Sequence, residues 1–94
     1  MRLIRLWPSY LQAAQQLGIV GTEAGRKVAE TARALQLAAS LPGPADATTL
    51  LPDDERGVSI LTHVRRVRGC NLWIWYTATE EELTLFALTG VPPP

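Results

Sequence analysis

Cysteine is almost missing from this chain of 94 residues: Cys70 stands alone, so no disulfide can close within it. With no signal peptide at the start either, a reducing cytoplasm is the expected setting. No second thiol and no histidine near in sequence activates Cys70, which argues against a nucleophilic role. Net charge is missing too: nine basic and nine acidic side chains cancel. No global field therefore steers the protein toward nucleic acid. No apolar run approaches the ~20 residues that a membrane span requires. Histidine appears once, at His63, the only side chain whose ordinary pKa lies near neutrality. No internal repeat is visible. What is present is enough apolar residue, 47%, to fold one domain over residues 1–94 around one modest core.

The hydrophobic pattern divides that domain into elements. Arg2 to Trp7 alternates with period two and reads as a short strand. Pro8 stops it and suits the first turn of a helix, with Ser9 in reach as a cap. Tyr10, Leu11, Ala14 and Leu17 follow at helical spacing, and Gly18 closes that helix. Thr22 is placed to cap a second helix, with Glu23 favourably in its first turn. Gly25, Val28, Ala32, Leu35 and Ala39 form one face of it, and Leu41-Pro42-Gly43-Pro44 ends it. Residues 45–57 are least decided: Leu50-Leu51-Pro52 reads as a short edge segment and Asp53-Asp54-Glu55 as a solvated loop. Three strands joined by tight turns complete the chain, from Val58, over Leu72 to Thr77, and over Leu83 to Thr89, before a frayed tail of Gly90 to Pro94. The expected fold is α+β, in the order β-α-α-β-β-β, with a helical hairpin packed on an antiparallel sheet.

Charge is unevenly placed along this order. No carboxylate falls between Arg56 and Thr79, whereas Arg56, Arg65, Arg66 and Arg68 all do. Arginine is permanently charged, and its planar fork matches a phosphate or a carboxylate. The plainer reading pairs these arginines with Glu80, Glu81 and Glu82 across a hairpin. Strand alternation puts Ile60, Thr62, Val64, Arg66 and Arg68 on one face, and Leu61, His63, Arg65 and Val67 on the other. In the next strand Trp73 and Trp75 oppose Leu72, Ile74 and Tyr76. One of those two sets is core under the helices. A tryptophan on the outer face would stack on bases or fill a partner's groove.

The element order, with Val64-Arg65-Arg66-Val67-Arg68-Gly69 leading into Leu72-Trp73-Ile74-Trp75-Tyr76-Thr77, resembles the RelE/ParE superfamily of bacterial toxins. The resemblance covers most of the chain in topology and about 25 residues in motif. It implies the toxin of a type II toxin–antitoxin pair, neutralised by a cognate antitoxin protein. Its targets are mRNA on the ribosome, which the toxin cleaves, or DNA gyrase in the ParE branch. Carried over to this chain, it makes Arg66 and Arg68 the groups on the scissile phosphate, with His63 or Tyr76 assisting. Arg65, Arg66, Arg68 and Trp73 then contact the RNA. Neither metal nor cofactor is implied. Cleavage through the RNA's own 2′-hydroxyl needs a base, positive charge on the phosphate and an acid for the leaving oxygen. His63 alternates onto the face of Arg65, away from Arg66 and Arg68, where a solvent-facing strand residue is the simpler reading. Trp73 stands where the family often has an arginine, and its basic C-terminal element has no counterpart in Val91-Pro92-Pro93-Pro94. A non-catalytic module that binds protein through its tryptophans is the reading from another class.

Overall fold

The computed structural model describes residues 1–53 and 57–94, without the side chain of Asp53. Strand β1 (Leu3–Leu6) leads into helices α1 (Pro8–Gln16) and α2 (Glu23–Leu37), and these into strands β2 (Ala47–Asp53), β3 (Val58–Arg66), β4 (Trp73–Ala78) and β5 (Glu82–Thr89). The class is α+β, as the pattern of helices followed by strands implies. Two details of the expected fold are corrected. The order gains a strand, β2, which pairs antiparallel with β3 from Ala47 opposite Val64 to Asp53 opposite Val58. The short edge segment read over Leu50-Leu51-Pro52 is its middle, and β2 is the sheet's edge, where a proline's missing N–H does no harm. The sheet, ordered β1-β5-β4-β3-β2, is also mixed, since β1 runs parallel to β5. Parallel neighbours are joined by long crossovers, so no local turn announces their pairing.

The helices begin and end for local reasons. Pro8 occupies the first turn of α1 and Trp7 is its N-cap residue, with no side-chain cap. Ser9 does not cap: its hydroxyl donates to the Phe86 carbonyl at 2.6 Å and ties α1 to β5. Gly18, at φ +65°, takes the left-handed conformation that closes α1. Thr22 caps α2 as expected, its hydroxyl accepting from the Gly25 N–H at 3.2 Å.

Val28, Ala32 and Leu35 of α2 and Tyr10 of α1 pack against Val67, Leu72, Ile74, Tyr76, Leu83, Leu85 and Leu88. One face of the sheet is therefore covered by helices. Residues opposite one another in antiparallel strands share a face. Register then puts His63 with Tyr76, and Arg65 with Ile74, on the helix side. Val64 with Trp75, and Arg66 with Trp73, lie on the helix-free side. Part of the helix-free side is nevertheless closed. Val64, Trp75 and Thr62 are buried there. The Trp75 indole N–H donates to the Thr89 hydroxyl at 3.0 Å. Near the opposite edge, the rings of Trp7 and Phe86 meet edge to face at 4.3 Å. The turn after β4 forms where expected, with Thr79 accepting from the amides of Glu81 and Glu82. The acidic residues 54–56 lie outside the described residues.

Candidate functional site

Arg66 is the best-placed cation on the helix-free face. The β3–β4 turn is built around Gly69, whose φ of +78° favours glycine. The turn is closed by the Cys70 N–H on the Val67 carbonyl and the Val67 N–H on the Leu72 carbonyl. It presents the Cys70 carbonyl and the Asn71 side chain to Arg66, which donates to them at 3.2 and 2.8 Å. The guanidinium also lies 5.9 Å from the Trp73 ring centroid, within cation–π range. Two of its five N–H groups are used in these bonds, and the remainder face solvent on an exposed side chain. Arg68 is exposed in the same turn and makes no side-chain bond to a described residue. The Lys27 ammonium of α2 reaches the turn from the helix side, 3.4 Å from the Gly69 carbonyl. The result is a rigid turn carrying Arg66 and Arg68 beside a half-exposed indole, with Lys27 near.

Arg65 is differently employed. Its guanidinium forms a two-pronged pair with Asp46, at 2.7 and 2.9 Å. The Asp46 side chain is completely buried. It also accepts from the Gly43 N–H at 2.9 Å and from the Tyr76 hydroxyl. Burial alone would raise the Asp46 carboxyl, but hydrogen bonds from Arg65, Tyr76 and Gly43, with the Arg65 charge, hold it below its ordinary value. Burial, the bond to Asp46 and the Asp46 charge push the Tyr76 phenol well up. Tyr76 is therefore a neutral donor and not a base at any physiological pH. His63 sits beside it, ring centroids 5.5 Å apart, with its Nδ1 paired to the Thr48 hydroxyl at 2.8 Å. A Cβ on Gly43 would meet the Arg65 guanidinium, which would have to shift within its pair with Asp46.

The sequence-derived site residues thus fall into two groups on opposite faces of the sheet. Arg66 and Trp73 form the first, with Arg68 in the adjoining turn. His63, Arg65 and Tyr76 form the second, assembled around Asp46. Arg65 pairs with Asp46 and not with the glutamates of the β4–β5 turn, and Glu82 pairs instead with Arg5 at 3.4 Å. His63 is half-buried on the helix side opposite Tyr76, and is not the solvent-facing residue of the simpler reading. Asp46, Thr48, Asn71 and Lys27 were not singled out in sequence. Asp46 alone left a signal, as a solitary acid among alanine, proline and glycine. No protein-family model, characterised protein or solved structure matches this chain. Among the described residues no helix is long and apolar enough to cross a membrane.

Proposed function

We propose that the chain is a RelE/ParE-type toxin that acts on mRNA at the ribosome, in the cytoplasm, and is held inactive by a cognate antitoxin protein. The observation that carries this reading is Arg66, fixed by its own turn, stacked on Trp73 and left with free donors. Such a guanidinium is pre-organised for a phosphate, and the indole beside it offers a stacking platform for a base. Arg68 supplies a second charge within the same turn. The chain's share in phosphodiester cleavage is then to grip the phosphate and stabilise the charge that builds on it. His63 and Tyr76, held on the other face with Asp46, take no part in that grip. An acidic segment of the antitoxin competes for the same guanidinium groups, which accounts for neutralisation by simple occlusion.

The gyrase-directed alternative is favoured by one feature: the two candidate proton-transfer groups are separated from Arg66 and Arg68 by the sheet. A toxin that traps gyrase needs no such groups. Tightly induced expression in bacteria, with pulse-labelling of protein and DNA synthesis, separates the readings. The account expects growth arrest with translation failing first, relieved by Arg66→Ala combined with Arg68→Ala and retained in His63→Ala. DNA synthesis failing first transfers the reading to gyrase. Unimpeded growth with soluble protein removes the toxin assignment and leaves a protein-binding module keyed on Trp73, whereas arrest that survives loss of both arginines removes their part in the toxicity.

A further inference from the structure

A second polar site lies far from the β3–β4 turn, at the C-terminal end of α2. Arg2 is 7% exposed, and its guanidinium is shared among backbone carbonyls. Nε donates to Thr79 at 2.7 Å, and Nη1 to Leu35 and Ala38. The bond to Ala38 satisfies a carbonyl just past the end of α2, and with the contact to Leu35 it places a cation at the negative end of the helix. Three of the five N–H groups are thereby used. The two on Nη2 meet no described residue. Among the described residues no buried side-chain nitrogen lacks a partner, so Nη2 opens to solvent.

What it opens onto is a cleft of about 300 Å³ that Arg2 lines together with Ser40, Glu80, Ala39, Leu41 and Ala78. Arg2 forms no ion pair with a described residue. A buried cation whose only compensation is carbonyl dipoles favours an anion brought from outside. Glu80 lines the same cleft, and its carboxylate opposes any ligand that carries negative charge alone. Arg2 opposes any ligand that is purely cationic. The pair selects a molecule bearing both charges, and Ala39, Leu41 and Ala78 give it an apolar wall.

We propose that this cleft binds a free α-amino acid with a small apolar side chain. The carboxylate meets Nη2 of Arg2 and the Ser40 hydroxyl, the ammonium group meets Glu80, and the side chain lies on the apolar wall. The site is separate from the proposed RNA face and stands or falls independently of it.

Titration of the full chain with L-valine, followed by amide and arginine Nε–H resonances, tests this. Isovalerate and isobutylamine serve as probes carrying one charge each. The proposal expects saturable shifts with valine at Arg2 Nε–H and at the amides of Ser40, Leu41, Thr79 and Glu80. Each half-ligand binds weaker. Glu80→Gln, a change at an exposed residue that leaves the fold intact, weakens valine by up to about fivefold, the range of an exposed ion pair, and strengthens isovalerate. Absence of saturable shifts up to roughly 10 mM valine overturns the proposal. So does isovalerate binding as well as valine, or a Glu80→Gln protein indistinguishable from the parent.

Discussion

Asp46→Ala lowers the free energy of unfolding by about 3–5 kcal/mol, the range for breaking a buried charge pair from one side, measured by urea denaturation at neutral pH. The magnitude follows from what the substitution strands. Asp46 is enclosed and accepts from Arg65 twice, from Tyr76 and from the Gly43 amide. Its removal leaves a largely buried guanidinium and a fully buried phenol without their acceptor. Asp46→Asn keeps the shape and one acceptor oxygen, and falls between the two. The pH dependence has a definite sign. The Asp46 carboxyl is held below its ordinary value in the folded chain, so the unfolded chain takes up its proton first, near pH ~4. The stabilisation is complete above that pH and is lost as pH falls through the folded value. On acidification the gap between the parent and Asp46→Ala therefore closes. A gap that stays constant into strong acid, or a loss below 1 kcal/mol at neutral pH on the order of a surface pair, contradicts the buried-carboxylate account.

The two tryptophans of β4 divide in the opposite sense. Trp75→Ala costs about 3–5 kcal/mol of stability, the usual range for a buried aromatic, because Trp75 is buried and its indole is anchored to Thr89. Trp73→Ala, at a half-exposed residue, costs about 1 kcal/mol, an ordinary value for a point substitution. Single-stranded RNA binding reverses this ranking. Loss of the Trp73 ring removes about 1–3 kcal/mol of binding, as stacking platforms do, while a folded Trp75 variant such as Trp75→Phe binds as the parent does. Denaturation and fluorescence anisotropy on the same proteins give both numbers. If Trp73→Ala unfolds the chain, or leaves RNA affinity unchanged, then Trp73 packs or idles and does not stack.

Much of this arrangement was legible in the residues. Strand alternation placed Arg66 apart from His63 and Arg65, and set Leu72, Ile74 and Tyr76 against the tryptophans. Register and core confirm both separations. Thr22 and Gly18 marked helix ends because capping is a local matter of one hydroxyl and one φ angle. The failures are non-local. Nothing near Leu3–Leu6 says that its partner is β5, almost 80 residues on, or that the pair is parallel. β2 was only partly legible: Leu50-Leu51-Pro52 read as a short edge segment and the acids after it as loop, whereas the strand runs from Ala47 to Asp53 at an edge that tolerates the proline. The Asp46 cluster was not legible as a cluster, for the same reason as the parallel pair, although Asp46 itself stands out as a solitary acid. A lone aspartate shows its worth only when folding brings Arg65 and Tyr76, 19 and 30 residues away, around it. Arg65 consequently looked like a phosphate ligand in sequence, and in the structure it is committed to a carboxylate.

On the proposed reading, Arg66 and Arg68 grip an RNA backbone beside Trp73. Affinity for a single-stranded RNA, measured against salt concentration for the parent, for the Arg66→Ala/Arg68→Ala protein and for His63→Ala, tests it most directly. Each phosphate contact adds about 0.7 to the slope of log affinity against log salt on single strands. The parent should therefore lose about 1.4 of its slope, and most of its affinity, when both arginines are removed, and nothing when His63 is removed. Equal slopes in the parent and the arginine variant, or an affinity that depends on His63 instead, would contradict the account.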